Sequence, residues 1–260
     1  MFGEGDPLLL INGGPGFHCN GFVTLARKLS EEARVIIYDQ RGTGQSTIHP
    51  VDASTMTIDN MVGDIEKLRN HLGIDRWIIM GHSFGGMLAY AYAEHHPEHT
   101  TGMIHSSSSG GYNLDLLQAD GFQIEKHLSP TEWDSLKYWR RQLAKGDTGL
   151  RAQKKRAEYL APAYIYDDSN TSRVADRLIQ GDMRINVLIW NDLQRTDFNC
   201  EDFLHSFEQP VLIIHGKQDV VNPELARNAH ELLPNSKLII LDRCGHYGWL
   251  DRPEKYFEEV

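Results

Sequence analysis

Apolar residues in this chain fall into short unbroken runs, with longer stretches of helical spacing between them. The runs are Leu8-Leu9-Leu10-Ile11, Val35-Ile36-Ile37-Tyr38, Trp77-Ile78-Ile79-Met80, Met103-Ile104-His105-Ser106-Ser107, Val211-Leu212-Ile213-Ile214 and Ser236-Lys237-Leu238-Ile239-Ile240-Leu241. Each is too short for a buried helix and ends in glycine or polar turn residues, which predicts strands buried on both faces. Helical spacing follows in Phe22, Leu25, Ala26 and Leu29, and again from Ile58 to Leu72, where Met61, Val62, Ile65 and Leu68 share one face and charges fill the other. Further helices are predicted from the residues after Ser83 to Glu94 and from Pro223 to Leu233. Strands alternating with helices predict an α/β fold with a doubly wound, mostly parallel sheet. The alternation lapses from 112 to 203, a stretch rich in charge and helical spacing and punctuated by Pro130, Gly146 and Gly181. A core of 1–111 and 204–260 is therefore expected to carry a mainly helical cap, 112–203, over the end of the sheet where the strand C-termini open.

Composition narrows the partners. Of the 260 residues, 40% are hydrophobic and 24% charged, values of a soluble globular protein. Lys and Arg number 26 against 36 Asp and Glu, for a net charge of −10, and no basic cluster is dense enough to read as a nucleic-acid footprint. No apolar stretch approaches the ~18 to 20 residues that span a bilayer, so no membrane partner is expected. Cys19, Cys200 and Cys244 are odd in number and far apart, which argues against a disulfide framework. The start of the chain, Met1 to Pro7, lacks a basic region followed by an apolar one, and the expected location is cytoplasmic.

Chemistry is expected where strands end, because an open parallel sheet gathers its active groups beyond the carboxyl ends of its strands. Gly81-His82-Ser83-Phe84-Gly85-Gly86 joins a strand to a helix. In that setting the serine hydroxyl is lifted clear of the sheet and small residues on either side let strand and helix approach. Asp219 follows the Val211 to Gly216 run, and His246 follows the last strand in Asp242-Arg243-Cys244-Gly245-His246. By role, Ser83 is the nucleophile, His246 its general base and later acid, and Asp219 the carboxylate orienting the imidazole. An oxyanion needs two donors. The Phe84 N–H is one, and the glycine loop Asn12-Gly13-Gly14-Pro15-Gly16 supplies the other, at Gly14, with Gly13 beside it facing the substrate. That loop lacks the spacing of a nucleotide cradle, and no cofactor is expected. His95, His96 and His99 surround a helix end next to Pro97 with no cysteine or carboxylate at ligand spacing, so no metal is predicted there. Asp39-Gln40-Arg41-Gly42 reads as a turn held by a carboxylate–guanidinium pair, and Cys244 as packing.

These residues resemble the α/β-hydrolase superfamily over nearly the whole chain. Asn12 to Gly16, Asp39-Gln40-Arg41-Gly42-Thr43-Gly44-Gln45-Ser46 and Gly81 to Gly86 together are similar to the proline iminopeptidase branch, serine aminopeptidases that remove an N-terminal residue, and their amidase and esterase relatives. The first loop of that branch usually reads His-Gly-Gly-Pro-Gly, and this chain has Asn12 in place of the histidine. Aminopeptidase relatives hold the substrate ammonium with carboxylates near the cap. The resemblance implies that Trp190 and Asp192, in Trp190-Asn191-Asp192, contribute to substrate binding. Val220 stands where a second acid would follow Asp219, which leaves Asp197 or Glu201 as replacements. Many relatives carry two strands before the equivalent of Leu8 to Ile11 and a complete last helix, whereas this sequence starts seven residues before Leu8 and stops at Val260. The expected function is therefore a serine hydrolase acting on a small-molecule or short-peptide substrate through an acyl-enzyme. An aminopeptidase of proline iminopeptidase type is the first reading and a carboxylesterase on small acyl esters the alternative. A non-catalytic binding member of the fold is a remote third, since it would have no need of Ser83, Asp219 and His246 together.

Overall fold

Every apolar run of the sequence contributes to one six-stranded sheet in the computed structural model, which describes residues 1–147 and 149–260. The strands are β1 (Pro7–Ile11), β2 (Arg34–Ile36), β3 (Trp77–His82), β4 (Thr100–Ser106), β5 (Val211–Gly216) and β6 (Ser236–Leu241). Their order is β2-β1-β3-β4-β5-β6, and each neighbouring pair is parallel. The chain runs outward from β1 to β2, then returns to lay β3 against the other side of β1. The crevice beyond the β1 and β3 C-termini is thus the topological switch point, where such sheets bind ligands. Ile11 pairs with Gly81 there, which brings the first glycine loop beside the serine corner.

Alternation along the strands divides the core in two. Leu9, Ile11, Ile79, Met103 and Ile213 pack on one face with α2 (Ile58–His71), α3 (Phe84–His95) and α10 (Pro223–Leu232). Leu8, Leu10, Met80, Ile104 and Ile214 pack on the other with α1 (Val23–Leu29) and with α11 (Gly248–Asp251) and α12 (Pro253–Glu259). Each such side chain contributes about 1.5–3 kcal/mol when fully buried. Phe84 through Ala93 of α3 are all buried, as expected of a helix enclosed on every side.

Two local expectations need correction. The second strand ends at Ile36 rather than Tyr38, because β1 pairs only Pro7, Leu8 and Leu9 with it and the chain then bends away. The turn after it is not closed by an internal ion pair. Asp39 instead accepts the backbone N–H groups of Cys19 and Gln45, both at 2.9 Å, while Arg41 reaches across to Asp64 of α2 at 2.7 and 2.8 Å.

Between β4 and β5 lie α4 (Leu114–Asp120), α5 (Pro130–Ala144), α6 (Leu150–Leu160), α7 (Thr171–Leu178), α8 (Met183–Arg195) and α9 (Glu201–Ser206). The two ends of this insertion meet at an antiparallel bridge between Asn113 and Asn199, and Cys200 N–H donates to the Tyr112 carbonyl at 2.7 Å. Leu160, Val174 and Leu178 anchor the insertion to one half of the core, and Ile185, Ile189 and Leu193 to the other. It spans the strand C-termini and roofs the switch point. No helix among the described residues is long and apolar enough to cross a membrane.

Candidate active site

Ser83 follows β3 directly and is the N-cap of α3, at φ 53° and ψ −126°. A non-glycine residue held in such a region costs on the order of 1–3 kcal/mol, so its surroundings must enforce it. They do. A Cβ on Gly85 would lie 2.2 Å from the Ile11 carbonyl oxygen, and one on Gly81 would lie 2.5 Å from that of Gly85. Strand and helix are in backbone contact, and the chain can only reverse sharply between them. Phe84 opens the helix, and its N–H is one of the donors that a helix cannot satisfy within itself.

The glycine loop closes over this corner. A Cβ on Gly13 would stand 2.6 Å from the Ser83 Cβ, and Gly14 adopts φ 77°. Asn12, in the place of the usual histidine, ties the loop through its Nδ2 to the Phe17 carbonyl at 3.0 Å and to Gly13 O at 3.3 Å. Gln40 Nε2 holds the Asn12 carbonyl at 2.8 Å. A third tether comes from the insertion: Arg177 of α7 donates to Gly13 O at 3.2 Å and to His18 O at 2.8 Å, with its guanidinium stacked over Phe17 and Phe22. Gly13 C=O and Gly14 N–H belong to one trans peptide and point in opposite directions. Holding the carbonyl on one side therefore aims the N–H to the other.

His246 and Asp219 meet from separate strand ends. His246 Nδ1 lies 2.8 Å from Asp219 Oδ1, with both residues buried. The same oxygen accepts the Val221 N–H at 2.9 Å, and His215 Nε2 lies 3.4 Å from Oδ2. Burial by itself raises the Asp219 carboxyl, but the charges of His246 and His215 and its hydrogen bonds outweigh this and lower it to about 2. It is thus ionised at neutral pH. His246 is further held by its backbone N–H, which donates to Tyr164 O at 2.9 Å, and by the Tyr164 ring, which stands nearly perpendicular to the imidazole with centroids 5.2 Å apart. Asp251 fixes the same loop by accepting the Gly245 N–H at 2.7 Å together with those of Tyr166 and Asp167. His82 packs its ring 4.7 Å from that of His246. Burial, followed by the neighbouring His246, drives the His82 pKa well down, so it forms a neutral wall.

A cavity of about 330 Å³ opens over the corner. Ser83, Phe84, Gly13, Gly14, His246 and Trp190 all line it, and Asp219 lies buried behind His246. Asp192 does not line it, which corrects the expected ammonium site. Its Oδ2 accepts the N–H of Ile58, the first residue of α2, at 2.8 Å, and its Oδ1 pairs with Arg195 at 2.6 Å. The positive end of a helix is a favourable place for a carboxylate, and Asp192 is fixed there. Asp197 is exposed and Glu201 is bonded by Asn113, and neither reaches the cavity. Arg156, Tyr164, Arg177 and Leu178, which do line it, carried no signal in the sequence, because they belong to turns and helices whose placement depends on tertiary packing.

The histidines near Pro97 gain a carboxylate that linear spacing hid. Glu66 of α2 lies within 4.8 Å of His96 and His99, atom to atom. Its oxygens, however, already receive Arg69 at 2.6 and 3.0 Å and the Tyr92 hydroxyl at 2.8 Å, so its charge is balanced by the Arg69 guanidinium.

A serine on a strained corner, a buried Asp–His pair and a glycine loop over both form the constellation of a nucleophilic acyl-transfer site. The α/β-hydrolase fold family model matches residues 6–253. A proline iminopeptidase of Xylella fastidiosa is 31% identical, over 94% of this chain and 84% of that protein. The chain belongs to the α/β-hydrolase family, in its proline iminopeptidase branch. Solved α/β hydrolases share the fold at lower identity. One from Bacillus anthracis superposes with a TM-score of 0.79 at 20% identity, covering 99% of this chain and 91% of that one. An esterase of Exiguobacterium antarcticum superposes at 0.74 with 21% identity, covering 99% and 91%. The protein is thus a serine hydrolase of this family.

Proposed function

We propose that this hydrolase is an aminopeptidase of the proline iminopeptidase type, releasing the N-terminal residue of short peptides without a cofactor. The observation that carries the chemistry is the buried 2.8 Å bond between Asp219 and His246 beside the strained Ser83 corner. Ser83 Oγ attacks the scissile carbonyl as His246 takes its proton, and Asp219 keeps the imidazole in the tautomer and orientation this requires. The N–H groups of Phe84 and Gly14 receive the oxyanion. His246 then protonates the leaving amine, and water repeats the cycle on the acyl-enzyme. Sequence kinship to proline iminopeptidases supports the amide substrate.

A carboxylesterase is the second reading. It is favoured by one observation: among the described residues no aspartate or glutamate lines the cavity to hold an α-ammonium. Proline and alanine nitroanilides assayed beside nitrophenyl acetate and butyrate separate the two. The proposal requires amide turnover that disappears in Ser83→Ala; ester turnover alone refutes the aminopeptidase.

A further inference from the structure

The charged side chains that line the cavity, among the described residues, are arginines. Arg156 of α6 and Arg177 of α7 both line it, His82 is neutral, and no acidic side chain of the described residues faces them. The two arginines are not equivalent. Arg177 directs its donors to Gly13 O, His18 O and Gln180. Among the described residues Arg156 makes one hydrogen bond, from its NH2 group to Leu178 O at 2.9 Å. A guanidinium has five N–H donors, so most of the fork is undirected. Burial lowers its pKa, Tyr164 counters this, and the positive charge of Arg140 on α5 lowers it further. Arg140 is itself stacked over Trp133 and, like Arg156, has no ion-pair partner among the described residues. A partly desolvated guanidinium with no counter-charge is unfavourable unless an anion arrives. A carboxylate is the group its planar fork fits best, through paired charge-assisted bonds.

The location says which part of a substrate this would be. Arg156, Tyr164 and His246 line the same cavity, and the Tyr164 ring stands nearly perpendicular to that of His246 with centroids 5.2 Å apart. His246 delivers the proton to the leaving atom, so a group that Arg156 meets along the Tyr164 wall is one carried on the leaving-group side.

We propose that Arg156, backed by Arg140, binds a carboxylate carried on the leaving group of the substrate. The inference rests on the acyl-transfer mechanism above. For an aminopeptidase the group is the C-terminal carboxylate of a dipeptide, attached to the same carbon as the departing amine. For an esterase it is the carboxylate of a departing hydroxy acid.

Two matched pairs test it: prolyl-glycine against prolyl-glycinamide, and 4-acetoxybenzoate against 4-acetoxybenzamide. The acid of the cleaved pair should be preferred by about tenfold or more in kcat/KM, as hydrogen bonds to charged groups allow. Arg156→Gln should collapse that ratio towards one by raising KM for the acid. Arg156→Lys should keep part of it, and Arg140→Gln should diminish it. A ratio near one in the wild-type protein overturns the proposal, and so does a ratio unchanged in folded Arg156→Gln. If only the ester pair turns over and its preference depends on Arg156, the subsite stands and the aminopeptidase falls. If the prolyl pair turns over without preference, the aminopeptidase stands and the subsite falls.

Discussion

Arg177 offers a direct measure of how far the cap controls the chemistry. Its guanidinium holds the Gly13 carbonyl at 3.2 Å, on the face of the peptide opposite the Gly14 N–H. Arg177→Met keeps an unbranched stem against Phe17 and Phe22 and deletes the donors. Among the described residues the Gly13 carbonyl would then retain only the Asn12 contact at 3.3 Å, from a side chain also engaged with Phe17 O. Deleting an oxyanion donor outright typically lowers turnover by about 10² to 10³. A donor still present but less firmly aimed should cost less, and we expect kcat to fall by about 10- to 100-fold with KM little changed. The lost bonds to Gly13, His18 and Gln180 and the lost stacking should also lower stability by about 2–3 kcal/mol, at roughly 1 kcal/mol per net hydrogen bond. Steady-state kinetics on whichever ester or amide the wild-type protein cleaves, beside urea denaturation, would check both figures. A folded Arg177→Met enzyme with kcat within twofold of wild type would refute the reasoning. The loop would then be held by Asn12 and Gln40 without help from the cap.

Other consequences can be measured on the same material. Asp219→Asn should lower kcat by about 10⁴, because the amide favours the wrong imidazole tautomer; a loss below tenfold, seen in the kinetics, would remove Asp219 from the mechanism. Since the Asp219 pKa is depressed from 3.8 to about 2, its stabilising contribution is complete above 3.8 and vanishes as pH falls through 2. Acid titration of unfolding should therefore show wild type losing its advantage over Asp219→Asn across that window. Gly13→Ala should abolish turnover in a protein that still folds, because the new methyl would meet Ser83 Cβ at 2.6 Å and His82 O at 2.7 Å; kinetics close to wild type would mean that the loop relaxes freely. Burial, together with Asp39, raises the Cys19 thiol to about 12, and burial raises Cys200 and Cys244 as well. Thiolate is the reactive form, so a disulfide reagent at pH 8 should label the native protein slowly and all the cysteines after unfolding. Rapid labelling of any one thiol in the native state would contradict this.

How much of this was legible in the sequence follows from the range of the forces involved. The strands, the serine corner and the Ser83–Asp219–His246 set were readable because local rules govern each. Short apolar runs make buried strands, parallel strands put their C-termini at one edge, and the residues just past those ends must converge there. The glycines at 81 and 85 announce a backbone contact that only they allow. Side-chain partners across elements were not readable in this way. Helical periodicity shows that α8 has a buried face, but not that Asp192 would lie over the first N–H of α2 instead of over the substrate. It likewise gave no sign that Arg41 would choose Asp64 over Asp39, or that Glu66 would join His96 and His99. The charge of the cavity depends on how α6 and α7 are docked, a matter of packing between surfaces far apart in the chain. The sequence by itself determined how this protein breaks a bond, because a strained turn and three strand ends are local features in a fixed topology. Only the tertiary structure decided what surrounds that bond, a cavity that the described residues line with arginines and no acids, because the cap that builds it is held by long-range contacts without a local signature.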